Sequence, residues 1–121
     1  MISDINMPLL KLETTVVLTE DQRQALLASL SKIVAETIGK PQQYVMVTAS
    51  QAAIQMSGSP GDAAFVDVLS IGGLTGVVNR KLSQKVCQLL NDSLGIPQNR
   101  IYLNFTEVEA SHWGWNGSTF G

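Results

Sequence analysis

The chain has 121 residues, 45% of them apolar and 15% charged, with a formal net charge of −2. That length suits one domain around a single core, and so little charge leaves a small monomer poorly coated, which points to an oligomer. There is no Lys/Arg run to favour nucleic acid, and no basic segment leading into a continuous apolar stretch, so neither a membrane anchor nor a signal peptide is expected.

Residues 1–7, "MISDINM", read as an extension ending in a second methionine, so the expected domain is 8–121. Pro8 then leads a strand over 9–17. Proline is tolerated at the first residue of a strand, where its missing N–H costs little. A second reading is chemical. If translation began at Met7 and that residue were removed, Pro8 would carry a free secondary amine, a base supplied by the backbone itself.

Apolar residues at helical spacing follow over 20–38, with Thr19 placed to cap the start, Gln22 completing a capping box, and Gly39 then Pro41 closing the end. A second strand is expected at 44–49 and a loop at 53–63. The same order then repeats, with a strand at 64–71, a helix at 76–94 and a strand at 101–108, where "IYLNF" alternates with period two. Cys87, the single cysteine, sits in the apolar stripe "VCQLL" and reads as a small hydrophobe. With His112 as the single histidine there is no intramolecular disulfide, no His/Cys metal site and no evident catalytic dyad.

The two halves are an internal repeat. "GKPQQYVMVT" at 39–48 returns as "GIPQNRIYLN" at 95–104, an offset of 56 that also carries Leu26, Leu30 and Val34 onto Leu82, Val86 and Leu90. The repeats cover about 8–60 and 64–116. A long helix between two strands is the crossover that parallel pairing needs, so each half is a βαβ unit. The expected fold is therefore α+β, an α/β sandwich with a four-stranded sheet and both helices on one face. A ferredoxin-like arrangement also contains two such units, and periodicity alone does not separate the two. The bare second face predicts burial against other subunits.

Proline leading the first strand, "IGKPQQY", "SIGG", "NRIYLNF" and the ending "GWNGSTF" together resemble the macrophage migration inhibitory factor and D-dopachrome tautomerase family, over essentially all of residues 7–121. The resemblance implies a homotrimer whose three sheets enclose a channel. It also implies a keto-enol tautomerase for small aromatic α-keto acids of the phenylpyruvate type, or dopachrome-like substrates. In such a protein Pro8, freed at the N-terminus, is the general base; a chain that retains residues 1–7 would be inactive, because Pro8 nitrogen would be an amide without a basic lone pair. Lys40 matches the pocket lysine. Ser70 and Ile71 match the segment whose Ile N–H faces the substrate carboxylate, and Tyr102 and Asn104 match residues that reach the pocket from a neighbouring subunit. Tyr44, Trp113, Trp115 and Phe120 match pocket walls. No metal or cofactor is implied, and the expected compartment is the cytoplasm, with secretion in the absence of a signal peptide open to family members.

Each of these residues also has a plainer reading. Lys40 just beyond a helix C-terminus suits the helix dipole. Trp113 and Trp115 suit interface or core anchors, and Tyr102 and Asn104 an ordinary subunit boundary. The chain departs from the animal cytokine where Ala63 and Val66 replace a CxxC pair, which excludes a thiol oxidoreductase role, where Leu69 replaces a histidine, and where Trp113 replaces a smaller wall residue and should reshape the pocket mouth. The alternative function is a cytokine-like or other binding protein that keeps the fold without catalysis.

Overall fold

The computed structural model describes residues 7–121. Helix α1 spans Glu20–Ile38 and α2 spans Gly76–Leu94, the limits that the cap residues predict. Thr19 Oγ1 accepts from Gln22 N–H at 3.1 Å while Thr19 N–H donates to Gln22 Oε1 at 3.0 Å, a complete capping box. Thr75 caps α2 through Val78 N–H, but with valine at the third position the box has no second half. Both helices end on a left-handed glycine, Gly39 at φ 83° and Gly95 at φ 71°, a conformation that would crowd a Cβ against the preceding carbonyl.

The main sheet contains β1 (Leu9–Thr14), β2 (Met46–Gln51), β3 (Ala64–Ser70) and β4 (Ile101–Glu107), in the order β2-β1-β3-β4. β1 pairs parallel with β2 and β3 parallel with β4, while β1 and β3 run antiparallel at the centre. Each helix thus joins two directly paired strands. The ferredoxin-like alternative, a split βαβ in which another strand separates the two that the crossover joins, is excluded by this pairing.

Alternation divides the strands between two faces. Leu10, Leu12, Val66 and Val68 pack into one core with Leu26, Leu30 and Val34 of α1 and Leu82, Val86 and Leu90 of α2. These six helix positions are the equivalent residues of the two repeats, so the internal symmetry expresses one packing solution used twice. On the opposite face Lys11, Asp67 and Asn104 lie at one level across three strands, with Thr48 beside Lys11. Tyr102 on that face is 66% exposed.

Strand ends differ from the sequence reading by up to three residues. β1 stops at Thr14 because Thr14 Oγ1 turns back to accept Val16 N–H at 3.1 Å. β2 starts at Met46, since Pro41 seeds a short 3-10 turn at Gln42–Tyr44 first. The C-terminal tail, for which the sequence reading assigns no element, forms a small hairpin of β5 (Gly114–Trp115) and β6 (Ser118–Thr119). Its turn is Asn116-Gly117, both at positive φ, as a two-residue hairpin loop requires. No described helix is long and apolar enough to cross a membrane.

Candidate functional site

Pro8 stands at the head of β1, fully buried, with Met7 buried before it. Its carbonyl accepts Met46 N–H at 3.0 Å. The N and C=O of one extended residue point to the same edge of a strand. Pro8 nitrogen is therefore turned toward the β2 side, where the chain arrives from α1. In the chain that retains Met7 this nitrogen belongs to a tertiary amide, so its lone pair is delocalised and holds no proton.

Lys40 and Tyr44 lie on that arriving segment, both half-buried. Lys40 N–H closes the last turn of α1 on Ala35 O at 2.9 Å, and Tyr44 N–H bonds Pro41 O at 3.1 Å. Two residues beyond Tyr44 comes Met46, the partner of Pro8. The segment "GKPQQY" is thus the backbone link from the end of α1 to Met46, the hydrogen-bond partner of Pro8.

Across the other edge, the antiparallel pair Leu9–Leu69 sets Ser70 beside Pro8. Ser70 is 0% exposed and its Oγ has no hydrogen-bond partner, so this side chain lies under the sheet end, and the backbone that follows is half-buried. Ile71 leads into Gly72 and Gly73, at φ 76° and 82°, a double left-handed turn open to glycine without strain. The turn is fastened to the end of β4 at two points. Val108 N–H donates to Ser70 O at 2.8 Å, and Leu74 N–H donates to Glu107 Oε1 at 3.1 Å.

Tyr102 and Asn104 do not join this group. Glu107 is the β4 residue level with Ser70, so at about 3.3 Å per residue Asn104 lies about 10 Å and Tyr102 about 17 Å further along the strand. Asn104 Nδ2 donates to Asp67 Oδ1 at 3.2 Å and to Thr106 Oγ1 at 3.0 Å. Both amide hydrogens are used, leaving Oδ1, an acceptor, to offer.

The C-terminal aromatics form a third group. Trp115 stacks on Phe120 with centroids 5.8 Å apart and planes 12° from parallel. Phe120 N–H bonds Trp113 O at 3.2 Å, and Trp115 remains 58% exposed. One chain therefore holds the predicted residues as a group around the head of β1 (Pro8, Lys40, Tyr44, Ser70, Ile71), a sheet-face pair (Tyr102, Asn104) and an aromatic hairpin (Trp113, Trp115, Phe120).

Three residues of consequence were missed in the sequence. Glu107 ties the glycine turn and Asp67 orients Asn104, and neither has a local signature. Arg100 gathers the carbonyls of Met56, Ser59, Gly61 and Asp62 at 2.9 to 3.3 Å. Among the described residues no group of three or more His, Cys, Asp or Glu side chains is placed to hold a metal ion.

A sequence model of the macrophage migration inhibitory factor family matches residues 7–121. The chain is 44% identical over 95 residues to a macrophage migration inhibitory factor homolog of Trichuris trichiura, covering 78% of this chain and 83% of that protein. Among solved structures, the macrophage migration inhibitory factor-like protein of Entamoeba histolytica superposes with a TM-score of 0.90 at 34% identity, over 93% of this chain and 98% of that one. The homologue from Prochlorococcus marinus gives 0.89 at 40% identity, over 93% and 99%.

Proposed function

Because the chain belongs to the macrophage migration inhibitory factor family, we propose that it is a keto-enol tautomerase for small aromatic α-keto acids, working as a homotrimer in the cytoplasm, with Pro8 as general base. The functional unit is 8–121, and residues 1–7 must be absent for catalysis. The observation that carries the reading is the position of Pro8: it heads β1, beside Ser70, with its nitrogen turned toward the segment that bears Lys40 and Tyr44.

Once freed, the proline amine would be mostly protonated in water, since even an ordinary α-amino group titrates near about 8. Burial and the Lys40 cation both favour the neutral amine, and a base tuned toward the working pH transfers protons best. In one direction Pro8 takes the proton from the carbon beside the keto group and the enolate oxygen gains one in its place; in the other the enol oxygen gives up its proton and Pro8 returns one to carbon. Atoms balance without oxidant or cofactor. Lys40 and Ile71 N–H hold the substrate carboxylate, and Lys40 also meets the developing enolate charge.

The separation of these groups supplies a reason for assembly with other copies, and the family a reason for three. Tyr102 and Asn104 sit too far along the sheet to serve Pro8 of their own chain, and the exposed face that bears them needs cover. A neighbouring copy brings the pair to the base end, and Tyr44, Trp113, Trp115 and Phe120 provide apolar walls for the ring.

A second reading draws on Met7. In the full chain the Pro8 nitrogen is acylated and both residues are buried, so that form acts through its surface as a binding protein. The discriminating experiment is Pro8→Gly in a chain that begins at residue 8: most phenylpyruvate tautomerase activity should be lost, and a fully active variant refutes the assignment of the base.

A further inference from the structure

The turn at 71–74 is a backbone device with two consecutive left-handed glycines, and such a segment has many conformations available to it unless something holds it. Its start is held by a strand-like bond, Val108 N–H to Ser70 O at 2.8 Å. Its end is held by a side chain, the Glu107 carboxylate accepting Leu74 N–H at 3.1 Å. Between these two tethers lie Ile71, Gly72 and Gly73. We infer that Glu107 is a positioning residue for the reaction: by holding Leu74 N–H it fixes the direction of the Ile71 N–H that receives the substrate carboxylate. This inference rests on the tautomerase reading given above.

Electrostatics makes the choice of residue informative. A carboxylate near an anion-binding turn repels an anionic substrate, so as a charge Glu107 would be counterproductive. As a hydrogen-bond acceptor it is useful, since its oxygen satisfies the Leu74 N–H at the end of the turn. The function therefore lies in the accepting oxygen and not in the charge. Glutamine at this position keeps such an oxygen, whereas alanine removes it. A tether that served folding alone would change stability in the alanine variant and leave the kinetic constants where they were.

The test has two arms. In the full chain, hydrogen exchange at the Leu74 amide is followed for the parent, Glu107→Gln and Glu107→Ala. In the chain beginning at Pro8, which keeps every described strand and helix, KM and kcat for phenylpyruvate are measured for the same three. Glu107→Ala should speed Leu74 exchange and raise KM about five- to tenfold, the scale of one lost hydrogen bond, with kcat changed less than about twofold, as expected for an interaction made equally in ground and transition states. Glu107→Gln should restore both. Unchanged KM in an active Glu107→Ala enzyme, or equal impairment in the two variants, overturns the positioning role and leaves the tautomerase reading standing. No activity in the parent that begins at Pro8 overturns that reading, and the positioning role falls with it.

Discussion

Asn104 is held by Asp67: its amide nitrogen donates across the β3–β4 pair at 3.2 Å, from residues directly opposite in register. Together with Thr106 Oγ1, which accepts the other amide hydrogen at 3.0 Å, this cross-strand pair fixes the orientation of the amide at an exposed position. In the trimer proposed above, that orientation is presented to a neighbouring subunit's base end.

Asp67→Ala is therefore expected to raise KM about three- to tenfold in the chain that begins at Pro8, the range of about 0.5–1.5 kcal/mol for one net hydrogen bond. Combining it with Asn104→Ala should cost no more than Asn104→Ala alone, because the two act as a unit. Steady-state kinetics on the four proteins of that cycle decide it. Full additivity would show that Asp67 acts independently.

Arg100 binds four carbonyls of the segment 56–62, where Ser57 and Gly58 turn the chain at positive φ. That segment adjoins the end of β1 remote from Pro8, where Thr15 N–H bonds Ala63 O. Arg100→Ala should lower stability by about 1–3 kcal/mol, with the tautomerase constants unchanged. Arg100→Lys should recover little of it, since a lysine lacks the planar fork that spans several carbonyls. Thermal unfolding and limited proteolysis at 56–62 measure the effect.

Much of this architecture is legible in the sequence because its signals are local. Thr19, Gln22, Gly39 and Pro41 delimit α1, and Thr75, Gly95 and Pro97 delimit α2, so both helix limits agree with the structure. The repeat supplied the two βαβ units, while the direct pairing of the strands within each unit came from the structure. The hairpin at the C-terminus was equally local, announced by Asn116-Gly117, and was overlooked because strands of two residues carry no periodicity. Glu107 and Asp67 were not legible: each matters through a partner 33 or 37 residues away, and only register brings the pairs together. Pro8 at the head of β1 was legible from proline's tolerance at the first residue of a strand, whereas the separation of Tyr102 and Asn104 from it follows from strand distance.

Thr19→Ala removes the acceptor for Gln22 N–H and breaks the capping box. A loss of about 1 kcal/mol is expected, a downward Tm shift of a few degrees. Thr75→Ala should cost less, since α2 has only half of that box. Denaturant unfolding of the two variants compares them directly.

Burial pushes the Cys87 thiol above its ordinary range. The thiolate is the reactive form, so at neutral pH the folded protein should react with iodoacetamide much more slowly than the unfolded chain. The rate should rise as pH climbs toward the elevated pKa. Equal labelling rates in buffer and in urea would show a thiol that is neither shielded nor shifted.

The claim on which the functional account depends is that Pro8 nitrogen must be a free amine. Its most direct test is the phenylpyruvate tautomerase activity of two preparations of equal concentration and assembly state, one beginning at Pro8 and one retaining residues 1–7. The account predicts activity in the chain that begins at Pro8 and none above the uncatalysed rate in the longer one. Equal rates in both would contradict it: an acylated proline has no basic lone pair, so the base would be another residue.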